Sequence, residues 1–135
     1  MRSSTFILLL VLITASAIAP AEENSSERWQ TRSGYYWVSF TSDLEPLEIN
    51  RIHRWVFHIE DESGAAIDNA EISLLGGMPE HNHGLPTIPH MTESLGNGDY
   101  SVEGMRFHMN GYWELTVTVD VSDRRDIVVI PLTIS

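Results

Sequence analysis

The chain contains no cysteine, and every one of its basic residues is arginine. Without cysteine there are no disulfides, no thiolate metal sites and no lipidated cysteine, so a small domain must be held by its core alone. Any metal has to be taken by histidine, methionine, carboxylate or backbone groups. Positive charge is scarce: 8 Arg face 19 acidic residues, for a formal net charge of −11. A surface of that sign repels nucleic acid and anionic lipid and attracts cations in general. Catalytic signatures are missing as well. There is no glycine-rich phosphate loop, no H-E-x-x-H pair and no G-x-S-x-G elbow. The chain is therefore read as a non-enzyme.

Long apolar runs are also scarce. The exception is Phe6 to Ala19, preceded by Arg2 and followed by the small-residue site Ala19-Pro20-Ala21. A basic start, a short apolar stretch and an A-x-A site make a secretory signal peptide. The expected signal covers residues 1–21, with Glu22 as the new N-terminus. Retention as an anchor is the alternative, but the run is shorter than the ~20 residues a spanning helix needs. Cleavage removes Arg2, leaving 7 Arg against 19 acids and a charge of −12. The mature protein is expected in the periplasm or outside the cell. Residues 22–33 are polar and rich in Ser and Glu, and are read as a disordered lead-in. Residues 34–135 are long enough for one domain and too short for two.

Within that domain the dominant period is two. Tyr35 to Phe40 is aromatic and β-branched. Arg51 to Ile59 places His53, Trp55, Phe57 and Ile59 on one face and Arg54, Val56 and His58 on the other. Ala70, Ile72 and Leu74 alternate with Glu71 and Ser73. Trp113, Leu115, Val117, Val119 and Val121 alternate with polar residues, the pattern of a strand with one buried and one wet face. Pro131 lacks an N–H, which assigns the last strand, Ile127 to Ile134, to an edge or a bulge. Asp61 to Gly64 and Asn97-Gly98 are turn signals. Residues 76–96 are read as a loop. About seven short strands with turns between them predict an all-β, immunoglobulin-like two-sheet sandwich, a small barrel being the alternative. The four Trp residues are read as core.

One stretch departs from ordinary β-domain composition. Met78, His81, His83, His90, Met91, Met105, His108 and Met109 fall between positions 78 and 109, and hold four of the six His and four of the five Met. Thioethers select Cu(I), and imidazoles suit Cu, Zn and Ni. In an extended segment, residues i and i+2 project to the same side, so His81 and His83 can face one ion. The other reading of H-x-H in a polar loop is a solvated surface feature. Met105 and Met109 also fit core packing, and His108 points away from Met109 in a regular strand. His53 and His58 are read as structural or surface residues.

Several short motifs occur in order: Asp61 to Gly64; Met78-Pro79-Glu80-His81-Asn82-His83-Gly84; Gly98-Asp99-Tyr100; and Phe107-His108-Met109-Asn110-Gly111-Tyr112-Trp113. From about Asn50 to Ser135 the chain resembles the YtkA-like domain, which is related to FixH-like proteins. The resemblance implies an immunoglobulin-like sandwich outside the cytoplasm with a role in copper handling. Carried over by position, it implies Met78, His83 and Met109 as ligands. Position 81 departs from the pattern, with His in place of the second Met, which makes the site richer in imidazole and less selective for Cu(I).

The expectation is a metal-binding module, a copper chaperone or buffer. Met78, His81 and His83 would capture a copper ion, Met109 or His108 would complete the shell, and a copper-accepting envelope protein would receive it. The competing expectation is a metal-free sandwich that acts through protein partners.

Overall fold

A computed structural model describes residues 27–135, so the expected signal peptide (1–21) and the start of the lead-in lie outside the described residues. Nine strands follow one another with no helix between them. They are β1 (Arg28–Gln30), β2 (Tyr36–Ser42), β3 (His53–Asp61), β4 (Ala70–Met78), β5 (His83–Gly84), β6 (His90–Gly96), β7 (Asp99–Met105), β8 (Gly111–Val121) and β9 (Arg124–Ile134).

The strands form two antiparallel sheets, ordered β1-β2-β3-β7-β6 and β5-β4-β8-β9. Without the short β1 and β5, the orders are those of the two sheets of an immunoglobulin constant-type sandwich, ABED and CFG. In that fold a disulfide commonly bridges the strands that correspond here to β3 and β8. This cysteine-free chain fills the space with rings: Trp55 and Phe107 lie 6.1 Å apart, and Phe107 and Trp113 5.3 Å apart edge to face. All three are fully buried. Edge-to-face pairs at such distances add packing energy beyond their area.

The period-two pattern maps directly onto burial. His53, Trp55, Phe57 and Ile59 face inward, as do Trp113, Leu115, Val117 and Val119. Pro131 sits in β9, an edge strand, opposite Glu114. Asn97 and Gly98 both take left-handed φ, +55° and +79°, and join β6 to β7 as a two-residue hairpin loop. That conformation matches the twist of the flanking strands.

The structure differs from the sequence reading in four places. The polar segment at 28–33 is part of the fold. β1 pairs with β2, Trp29 stacks on Phe40 at 5.7 Å, and Ser33 N–H donates to the buried carboxylate of Asp126 at 3.0 Å. Composition could not reveal this, because the partners lie far along the chain. Residues 76–96 are not one loop, since they hold the end of β4, all of β5 and all of β6. The strand count among the described residues is nine rather than about seven. Finally, Trp37 lies on the outer face beneath the Arg28 guanidinium, 4.6 Å from its ring centre, and is not core.

Chain direction decides where the chemistry-bearing residues go. β3 begins, β4 ends, β6 begins, β7 ends and β8 begins at the same end of the sandwich, because successive strands run antiparallel. His53, Met78, His90, Met105 and the 106–110 connection are thereby gathered at that one end.

Candidate metal centre

The centre of the site is the β4–β5 hairpin. Pro79 to Asn82 form its loop, closed by a hydrogen bond from His81 N–H to the Met78 carbonyl at 3.1 Å. Asn82 adopts a left-handed φ of +53°, which its short polar side chain tolerates. The turn sets Met78 directly opposite His83 in the ladder. Cross-strand partners project from the same face, with Cβ atoms about 4.5–5.5 Å apart. His83 therefore emerges on the side of the sheet that carries Met78, at the open rim of the sandwich.

A third histidine comes from the other connection. Residues 106–110 are not strand, so the opposition of His108 and Met109 in a regular strand does not arise. His108 packs edge-on against Trp113, with ring centres 5.5 Å apart, and its ring lies 5.8 Å from that of His83. His81 in turn lies 6.3 Å from His83. With metal–nitrogen bonds of about 2.0–2.1 Å, two imidazoles on one tetrahedral or trigonal ion have ring centres roughly 5.2–5.5 Å apart. Both separations are longer than that, so the rings stand near one another without enclosing a common point. Among the described residues, no three His, Asp or Glu side chains already close on one point. His81 and His83 are exposed, and rotation of their side chains is what would close the set.

The two methionines are placed differently. Met78 is 2 % exposed and packs under the backbone of β8, where a Cβ on Gly111 would come within 3.0 Å of its Cε. Gly111 also has a φ of +127°, a conformation open to glycine. Met109 is half-buried against the core, and its carbonyl accepts the Trp113 indole N–H at 3.0 Å. The structure thus brings together His81, His83 and His108, with Met78 beneath them, while Met109 is tied to Trp113. His90 and Met91 belong to β6 in the other sheet.

His108 Nδ1 is buried and has no hydrogen-bond partner among the described residues. An imidazole in that state has an unmet demand that a metal or a polar ligand satisfies. On the outer side, a groove of about 400 Å³ along β4, β5 and β8 is lined by Gly77, Asn82, His83, Glu114 and Thr116, and gives the hairpin an open approach. The Glu114 carboxylate there accepts a hydrogen bond from the Tyr112 hydroxyl at 3.1 Å.

Fold and cluster together define a two-sheet immunoglobulin-like module that carries a histidine-bearing hairpin at one end. Residues 36–118 match the family model described as YtkA-like, and the chain belongs to that family. The match takes in the β4–β5 hairpin and the 106–110 connection, and leaves β1 and β9 outside. No curated protein sequence matches the chain. Among solved structures, the ZirS C-terminal domain is similar over 97 % of this chain and 86 % of that one, at 12 % identity and a TM-score of 0.39. Among the described residues, no helix is long and apolar enough to cross a membrane.

Proposed function

We propose that this protein is an exported copper-handling module that takes the ion at the β4–β5 hairpin and the 106–110 connection. The observation that carries the reading is the row of three imidazoles, His81, His83 and His108, whose neighbouring rings lie within a side-chain rotation of one shared ion. The fully buried Trp113 backs His108 and fixes one side of the site. Exposed His81 and His83 are free to exchange ligands, which is what delivery to an acceptor requires. Three neutral imidazoles over one thioether accommodate Cu(II) and Zn(II) as well as Cu(I). The acidic surface raises the local concentration of any of these cations. Met78, at the start of the hairpin, supplies the soft donor beneath the row.

A second reading, a metal-free sandwich acting through a protein partner, is favoured by two observations. Met78 is buried in the core, and the imidazoles have not closed on one point. In that reading both methionines are packing and the histidines are solvated.

One titration separates the two. The purified protein is titrated with Cu(I), Cu(II) and Zn(II) against a competing chelator, beside a His83→Ala/His108→Ala variant. One-to-one binding that the variant loses, with its fold intact, supports the copper module. Equal binding by both proteins rejects it and directs the search to protein partners.

A further inference from the structure

A second histidine at the same end of the sandwich has a different character. His53 is the first residue of β3 and only 6 % exposed. Its Nδ1 lies 3.0 Å from the Arg51 carbonyl. A carbonyl only accepts, so Nδ1 carries a proton, and in the neutral ring Nε2 presents a lone pair. That Nε2 is buried with no partner among the described residues. A ring whose Nδ1–H is held by a backbone carbonyl is oriented in the way that metal-binding histidines usually are.

What stands opposite His53 on β7 is set by a β-bulge. His53 and Trp55 are two residues apart on β3, but their partners on β7, Met105 and Val102, are three apart. Gly104, with a φ of +84°, lies within the extra segment. Tyr100 and Val102 point inward; strict alternation would turn residue 105 outward. The bulge restores it to the inner face, where Met105 is fully buried and directly opposite His53. Bulges re-aim side chains in this way and recur beside functional sites.

We propose that His53 and Met105 form a second, buried site for a soft monovalent metal ion, Cu(I) or its analogue Ag(I). Both donors are neutral, and the nearest rings are those of Trp55 and Phe107, 6.2 and 6.1 Å from His53. A divalent ion would bring two uncompensated charges into that apolar setting, whereas a monovalent ion with a thioether and an imidazole brings one. The site lies at the start of β3 and the end of β7, where strand ends open most readily and admit an ion. Phe107 and Trp113 stand between it and His108, with successive ring separations of 6.1, 5.3 and 5.5 Å. It shares no residue with the exposed histidine row and does not depend on it.

The experiment uses the full chain and a His81→Ala/His83→Ala/His108→Ala variant, each titrated with Ag(I) and with Zn(II) against a competing chelator. The triple variant is expected to keep one equivalent of Ag(I), to melt several degrees higher with it, to shift the His53 Nε2 resonance and to ignore Zn(II). Met105→Leu in the triple variant keeps the side-chain volume and so the packing. It is expected to weaken Ag(I) binding at least tenfold with near-UV circular dichroism unchanged. A triple variant that binds no Ag(I), or Ag(I) binding that survives Met105→Leu, overturns the proposal. So does a crystal soaked in Ag(I) that shows no silver bonded to His53 Nε2 and the Met105 sulfur. Failure of the exposed row would show separately, as divalent binding unaffected by the triple substitution.

Discussion

Met78 and His83 stand directly opposite one another across the β4–β5 hairpin, so a thioether and an imidazole leave the same face at the rim of the sandwich. One is buried and the other exposed. The pair therefore has a fixed half, set by the core, and a mobile half that can rotate toward a ligand. In the proposed copper-handling role, the fixed half would hold an ion and the exposed half would release it.

The indole of Trp113, 5.5 Å from His108, is a built-in reporter. Binding of Cu(II) at the histidine row is expected to quench the emission of Trp113. His108→Ala should remove most of that quenching and weaken binding by at least about tenfold, since even outer-sphere substitutions at metal sites cost that much. Fluorescence titration of both proteins checks it; quenching that is equal in the variant would remove His108 from the site.

Met78→Leu conserves volume, so its cost in stability is expected to stay below about 1.5 kcal/mol. If the thioether touches the ion, affinity for Cu(I) falls while affinity for Zn(II) holds, because only the soft ion uses the sulfur. Parallel chelator competitions with the two metals read the difference. A fall in neither identifies Met78 as packing alone.

Gly111→Ala puts a Cβ 3.0 Å from Met78 Cε at a φ of +127°. Overpacking of this kind costs about 1–3 kcal/mol, and the backbone strain adds to it. Urea unfolding should show a lower midpoint. Pairing the change with Met78→Ala, which vacates the space, should recover part of the loss if the clash is the cause.

Asp126 supplies a pH test of the N-terminal segment. Burial pushes its carboxyl up, but hydrogen bonds, among them those from the Ser33 and Ile127 N–H groups, outweigh this and hold it below the ordinary carboxylate value. A depressed folded value means stability that is present above the unfolded value, about 3.9, and is lost as pH falls through the folded one. Asp126→Asn is therefore expected to cost about 1.5–3 kcal/mol at neutral pH, the range for hydrogen bonds to a charged group. The gap to wild type should close below about pH 4. Unfolding free energies measured from pH 7 to pH 2 check the direction.

The strands were legible because burial in a two-sheet sandwich imposes a period of two. His53 to Ile59 and Trp113 to Val119 show it without interruption, and Asn97-Gly98 and Pro131 mark a turn and an edge through their own backbone chemistry. The short strands were not legible. β5 is two residues long and β6 is largely exposed, so neither carries an alternating pattern to read. The same limit hid β1, whose pairing depends on Phe40 and Asp126 far along the chain. Within the candidate site, the clustering of Met and His pointed to segments that the fold gathers at one end of the sandwich. It did not distinguish the imidazole row from the packed methionines, because spacing gives a face but not a depth.

By itself the sequence determined the class of fold, the absence of covalent cross-links and the residue types available to hold a metal. Those follow from period, composition and side-chain chemistry, which are local. The tertiary structure alone decided which of those residues meet. Antiparallel chain direction brings the end of β4 to the start of β8, and so sets His83 beside His108. The Gly104 bulge turns Met105 inward to face His53. Neither juxtaposition is encoded in any short window of the chain, because each is a consequence of how whole strands pair.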